Sequence, residues 1–452
     1  MNSKFETHKK LLLISIPIML SNLISQVQML IDRIFLGQLD ITAMSAVSNA
    51  SSPIWTTMNF VFSLAIGSNI LISQAIGAGE KELAKKRMAA LFKYANVFSV
   101  FLFVIWMFLP RQIFTLMGAA PEIMNDCVAY ARCSAPVFLL LGLGSAISTM
   151  LQVSEKTGIM IWYGLVRSLV NIFLDYCLIF GNLGFPRLEV AGAALATAIA
   201  EIVGDVLILV YVLINKKLWI KPAMKEIFVA TLKPYIDSVK MGLPTACEDL
   251  AWNSGSLFLI VMLNQISKEA SGIYSIIFGM ELLPVCVISS MGTGVLTLSG
   301  QETGRENLKG VMKVVKIALS WAAVIAGIVL VCFILFPETI TGWFTKDVNV
   351  ILASSLYLVI VGIDLFPKSG NILVGAGIKG YGDTKWMLTT QIFGTIFVIE
   401  GSALLVLVFH QGIEALFMLV VADETLRCIV NTIRLNYIVR RNKISCSNSM
   451  AN

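Results

Sequence analysis

The sequence predicts an all-α integral membrane protein of twelve transmembrane helices, arranged as two parallel six-helix repeats around a central cavity. Three observations point there. The chain is 57% hydrophobic and only 14% charged, with a mean hydropathy of +0.82, far from the roughly one-quarter charged usage of soluble domains. Twelve apolar runs recur along it, each near the ~20 residues that cross a ~30 Å hydrocarbon core. The chain also repeats itself: Pro17 and Pro244, Gly67 and Gly294, Gln74 and Gln301, Gly77 and Gly304, Pro110 and Pro337, and Thr157 and Thr384 all pair at an offset of 227 residues. A repeat this long describes two homologous lobes, not a short-period solenoid.

Taken in order, the first run, 11–36, carries Pro17 and, near its far end, Asp32. It is too long for a signal-peptide core and no small-residue cleavage site follows it, so it is expected to stay as a helix. Runs 50–76, 89–109 and 128–151 come next, with Pro53 and Pro136 in the first and last of them. Run 159–181 holds Arg167, Asn171 and Asp175, and run 190–213 holds Thr197, Glu201 and Asp205. The offset carries these six onto 238–264, 273–299, 314–336, 350–377, 386–409 and 411–437. Six is even, so the second set enters the membrane in the same sense as the first, and the repeats are parallel. The expected division is an N-lobe over 1–214, a linker over 215–240 and a C-lobe with a cytoplasmic tail over 241–452. Pro17, Pro53, Pro136, Pro244, Pro284 and Pro367 fall within or near helix interiors, where they permit bending or set a static kink.

The loops give the orientation. On the side of the N-terminus lie Lys4, Lys9, Lys10, Lys81, Lys85, Lys86, Arg87, Lys156, six lysines from 216 to 240, Arg305, Lys309, Lys313, Lys316, Lys379, Lys385, Arg440, Arg441 and Lys443. The opposite loops carry Arg111, Arg187, Lys268 and Lys346. By the positive-inside rule both termini are cytoplasmic in a multi-pass protein of the plasma (inner) membrane. The +6 net charge is then topology and does not point to nucleic acid. The linker mixes lysines with Trp219, Ile227, Phe228, Leu232 and Ile236. That pattern suits either a partly helical segment on the inner membrane surface or a solvated connector.

Several chemistries find no support. The eight cysteines (127, 133, 177, 247, 286, 332, 428, 446) form no CxxC pair and have no histidine at ligand spacing, so structural thiols are expected and no metal or cofactor is implied. His8 and His410 lack partners for base or ligand roles. Gly377 to Asp383, GIKGYGD, lacks the Lys and Ser/Thr of a phosphate loop. No loop except the linker has room for the interfacial motifs of a membrane enzyme.

Ionisable groups inside membrane helices are costly unless paired or wet, so each is a functional candidate. Asp32 lies about five residues before the outer end of its run and Asp175 about six before the end of run five, with Asn171 one helical turn below. Thr197 is about seven residues into run six, at a similar depth. Two carboxylates held close in a poorly hydrated pocket repel and take a cation between them. A proton serves, and so does Na⁺, given oxygen ligands such as Thr197. In the second half, Asp364 and Lys368 stand at the favourable i, i+4 spacing of an intrahelical pair. They and Glu281 and Glu248 are candidates for a substrate path, with self-neutralisation the competing reading. Arg167 with Glu201 and Asp205, and Asp423 with Glu424 and Arg427, read as salt-bridge networks. Glu400 has no evident partner. Twenty Met and twenty-five Phe would suit a site for varied organic cations, although lipid-facing packing accounts for most of them.

Five stretches carry a family likeness: Ile31 to Gly37 (IDRIFLG), Gln74 to Ala84 (QAIGAGEKELA), Gly300 to Leu308 (GQETGRENL), Gly380 to Thr384 (GYGDT) and Asn171 to Thr197. Together, and from about residue 10 to 440, they resemble the multidrug and toxic compound extrusion (MATE) transporters. The resemblance implies a monomeric two-lobed antiporter, not an enzyme, that expels organic and often cationic compounds in exchange for H⁺ or Na⁺. It also implies that Asp32, Asn171, Asp175 and Thr197 match first-lobe cation-coupling positions of one branch of that family. The alternative within the superfamily is a flippase for a lipid-linked saccharide or peptidoglycan precursor, which would want a strongly cationic cavity. A channel fits the twofold repeat less well than alternating access.

Overall fold

Backbone groups in hydrocarbon have no water to bond, so a chain of apolar runs must satisfy them within each segment, and helices do this. The computed structural model describes residues 2–37, 41–215, 217–343, 345 and 348–449, and every regular element among them is helical. Lys216 and Lys346, used above for orientation, lie outside the described residues, as do the side chains of Lys4, Lys268, Arg441, Lys443 and Cys446. The seven other cysteines are free thiols.

The first half comprises α1 (Asn2–Leu36), α2 (Ile41–Gly77), α3 (Lys81–Phe108), α4 (Pro110–Leu116), α5 (Met124–Ser134), α6 (Phe138–Val153), α7 (Ile159–Phe180) and α8 (Glu189–Ile214). A short α9 (Met224–Val229) follows, then α10 (Lys233–Ile266), α11 (Lys268–Gly304), α12 (Leu308–Leu335), α13 (Pro337–Gly342), α14 (Val348–Tyr381), α15 (Thr384–Ala403) and α16 (Ile413–Ser449). A 3₁₀ turn, Ala135–Val137, joins α5 to α6 at Pro136, so the two make one span. A π-helical stretch, Leu404–Val408, extends α15. The repeat survives into the element bounds, because α2 and α11, and α3 and α12, begin and end 227 residues apart. It fails where Pro136 breaks the first copy, since α14 runs unbroken through the corresponding place.

Ten of the long helices are apolar enough to cross a membrane on length and composition alone. The other two expected spans, α10 and α16, have 34 and 37 residues. At about 1.5 Å per residue they reach well past 30 Å. What sets them apart is charge at mid-helix: Glu248 and Asp249 in α10, and Asp423, Glu424 and Arg427 in α16.

The described chain divides into two compact units. One holds the chain up to Ser15, Ser73–Gly79 and everything from Pro244 onward; the other holds Ile16–Ile72 and Glu80–Leu243. The boundaries in α1 and α10 fall beside the repeat-related prolines Pro17 and Pro244. The second of these units has a core of Ile54, Trp106, Phe114, Phe138 and Leu141 from α2, α3, α4 and α6. In the first, Leu259, Leu263, Ile273, Phe333, Leu358 and Leu416 pack between α10, α11, α12, α14 and α16.

Close helix crossings depend on small residues. A Cβ placed on Gly77 would lie 1.9 Å from the Gln301 carbonyl oxygen, and one on Gly304 would lie 1.9 Å from that of Gln74. The two contacts are each other's repeat images, and Gln74 also donates its amide to the Gly380 and Tyr381 carbonyls, both at 3.1 Å.

Candidate functional site

Each unit encloses one polar site among its helices. In the unit built mainly from the first half, α1 and α7 carry Asp32 and Asp175, whose side chains stand close enough to interact. Asp175 is 1% exposed and neither of its oxygens has a hydrogen-bond partner; the Asp32 Oδ1 and Asn171 Oδ1 atoms are also buried without one. Asn171 spends its amide on the Thr197 hydroxyl of α8 at 3.3 Å. The four residues read from the sequence therefore come together as two contacts, the carboxylate pair and the Asn171–Thr197 bond. Two carboxylates held close favour a cation between them, and oxygens of Asp32, Asn171 and Asp175 remain to ligate it.

Gln28 belongs here too and was not anticipated. It stands one turn before Asp32 on the same face of α1, near enough to influence that carboxylate, and its Oε1 accepts from the Ser168 hydroxyl at 2.8 Å. The spacing of four from Asp32 was the available signal. Tyr130 of α5 lies within electrostatic reach of both carboxylates. Deeper in α7, Arg167 pairs with Glu201 at 2.7 Å and donates to Ser25, while the Tyr163 hydroxyl donates to Glu201 at 3.1 Å. The expected network thus forms between α7 and α8, except that Asp205 stands beyond ion-pair range of Arg167. Its carboxylate fills the space where Gly144 lacks a side chain, with Oδ1 2.3 Å from an ideal Cβ.

The other unit holds a small polar chamber of about 70 Å³. Lys368 pairs with Asp364 at 3.0 Å, the predicted intrahelical contact, and equally with Glu281 of α11. Arg427 pairs with Asp423 at 2.7 Å and Glu424 at 3.0 Å and donates to Gln391 at 2.6 Å. Asn371 donates to Glu424 at 2.9 Å, and Asn431 to Asn371 at 2.8 Å. Four carboxylates thus share two cations, and Asp364 Oδ1 is buried with no partner. The aromatic wall is a ladder in which Trp252 and Tyr274 each stack on Phe278, at 6.3 and 6.0 Å, and Tyr274 meets Phe417 at 5.8 Å. Of the residues proposed for a substrate path, Asp364, Lys368 and Glu281 line this chamber. Glu248 does not; Lys379 of α14 clamps both its oxygens, at 3.0 and 3.2 Å. Glu400 is exposed near the end of α15.

One family model, MatE, matches residues 17–177 and again residues 244–404. The chain belongs to the MatE family. The two matches are separated by the same 227 residues as the internal repeat. Among curated relatives of this MatE protein, the probable multidrug resistance protein NorM of Thermotoga maritima is 28% identical over 84% of this chain and 81% of its own length. The multidrug export protein MepA of Staphylococcus saprophyticus is 24% identical over 97% and 95%. Solved structures share the fold: a MATE in complex with MaL6 superposes with a TM-score of 0.90 at 19% identity, covering 97% of each chain. A Pyrococcus furiosus transporter of the MOP superfamily, described as having a binding pocket of reversed polarity, gives 0.88 at 20% identity over 97% of each chain. The MatE protein described here is accordingly a multi-pass membrane protein of a transporter family.

Proposed function

We propose that this protein is an antiporter that exports small organic cations in exchange for H⁺ or Na⁺ by alternating access. The observation that carries the coupling is the Asp32–Asp175 pair, a half-buried and a buried carboxylate that interact, with both Asp175 oxygens and the Asp32 Oδ1 buried without a hydrogen-bond partner. A cation arriving there removes a repulsion between two carboxylates, one of which, Asp175, has no donor of its own. The Asp364/Glu281/Asp423/Glu424 chamber supports the substrate class, because its negative charge exceeds its positive charge and its wall is aromatic. Ring faces and unspent carboxylates both favour an organic cation. Export agrees with the names of the curated relatives, and the Lys/Arg excess puts both termini in the cytoplasm. One chain holds both sites, so a monomer suffices. Exchange further requires that ion and substrate prefer different states or compete, since equal binding to both states shifts nothing.

The test is reconstitution into liposomes with ethidium-like or fluoroquinolone-like substrates, driven by a pH gradient and a sodium gradient in separate experiments. One gradient should power the wild type and fail to power Asp175→Asn. Gradient-driven efflux at the wild-type rate in Asp175→Asn removes the coupling role from this pair. A response to neither gradient points instead to transfer of a lipid-linked saccharide precursor.

A further inference from the structure

Neither site above uses the linker, and the linker is not a bare connector. Its backbone is fastened to α3: the Lys93 ammonium donates to the Phe228 and Ala230 carbonyls at 2.7 and 3.1 Å, the Tyr94 hydroxyl donates to Ala230 at 3.0 Å, and the Tyr94 and Tyr235 rings stack at 5.9 Å. Between α3 and the fastened segment lies a cavity of about 500 Å³, lined by Lys85 and Lys86 from one side and Lys225, Val229 and Pro234 from the other. Its two carboxylates are Glu82 and Glu226, and Glu226 is occupied in capping α9 through the Ala223 N–H at 2.7 Å. Three lysines therefore line the cavity with two carboxylates, one of which is engaged in the α9 cap.

Beside that cationic cavity, α9 and the turn after it present apolar side chains that nothing covers. Phe228 is 72% and Val229 71% exposed, and Met224 and Leu232 are exposed as well, as is Ile236 at the start of α10. A soluble phosphate compound would use the lysines and leave these side chains bare. A molecule with a phosphate and a hydrocarbon tail uses both, and the bilayer bordering α3 supplies it. We propose that the α3–linker cavity is a binding site for an anionic phospholipid, its phosphate held among Lys85, Lys86 and Lys225 and its acyl chains against Phe228, Val229 and Leu232. This site is separate from the transport sites and does not depend on what they carry.

The experiment uses the whole protein in nanodiscs of phosphatidylcholine containing a minority of phosphatidylglycerol, with retained phosphatidylglycerol counted by native mass spectrometry. Both leaflets carry the lipid, so the result is independent of which side the linker faces. Wild type should retain phosphatidylglycerol, and Lys85→Gln, Lys86→Gln and Lys225→Gln should weaken it by about fivefold each, the equivalent of roughly 1 kcal/mol per lysine near a surface. Phe228→Ser with Val229→Ser should weaken it with all lysines in place. Lys225→Gln, at an exposed position of α9, gives a readout even where a substitution on α3 does not fold. Equal retention by wild type and the lysine variants overturns the proposal. Displacement of the lipid by millimolar inorganic phosphate overturns it as well, by assigning the lysines to a soluble ligand.

Discussion

Replacing Gly77 by alanine puts a methyl group 1.9 Å from the Gln301 carbonyl oxygen, with the Gln301 carbonyl carbon at 2.8 Å. Neither atom belongs to a side chain that can swing away. Reaching an ordinary contact of about 3.4 Å requires α2 and α11 to separate locally by about 1.5 Å, in a packing that tolerates little overfilling. The expected cost is about 1–3 kcal/mol. At roughly 2–4 °C per kcal/mol for a unit of this size, heat-induced unfolding in detergent should fall by about 2–12 °C. Gly304→Ala meets the repeat-related obstacle at the Gln74 carbonyl and should cost a similar amount. The double variant should cost less than the two single losses added, because the separation forced by one methyl makes room for the other. Gly272→Ala is the control: it lies in the same helix α11, and its Cβ meets nothing within 4 Å. It should melt at or slightly above wild type, since alanine is the better helix former. If Gly77→Ala melts with Gly272→Ala, the crossing is not tight and the reasoning fails.

Three further outcomes follow from the charged sites. Lys368→Met strands Glu281 and Asp364 without their shared cation and should lose roughly 3–5 kcal/mol of stability, most of it regained on adding Glu281→Gln and Asp364→Asn; thermal melts of the three forms decide it, and an unshifted melt for Lys368→Met contradicts the pairing. Gln28→Ala removes the acceptor of the Ser168 hydroxyl and a neighbour of Asp32, so the half-saturating cation concentration for transport should rise several-fold while stability falls by about 1 kcal/mol. Glu400→Gln changes an exposed side chain and should leave stability within about 0.5 kcal/mol and efflux at the wild-type rate.

Much of the scaffold was legible before any coordinates. The repeat offset appears unchanged in the bounds of α2 and α11 and of α3 and α12, because a glycine, a proline or a polar turn marks a helix end wherever the chain stands. Counting along each run put Asp32, Asn171, Asp175 and Thr197 at a similar level, and the structure brings Asn171 to Thr197 and Asp32 near Asp175, while the Asp364–Lys368 contact was readable by its spacing of four. Less legible was who else would join. Glu281 reaches Lys368 from 87 residues away, and Lys379 reaches Glu248 from 131. The apolar character of α10 and α16 was understated by charges whose partners stand on other helices, such as Lys379 and Gln391.

The sequence by itself determined that this is a twelve-helix membrane protein written twice, and that the carboxylates Asp32 and Asp175 have no repeat image, since Leu259 and Ser402 stand in those places. These properties follow from hydrocarbon thickness, helical rise and residue identity, which act along the chain. Only the tertiary structure decided that Asp205 fills the gap at Gly144 while Glu201 takes Arg167, that Glu248 is clamped away from the chamber, and that four carboxylates there share two cations. The pairing of charges across helices depends on how each helix is rotated and how closely it approaches its neighbour, and glycine crossings such as Gly77 on Gln301 set that approach.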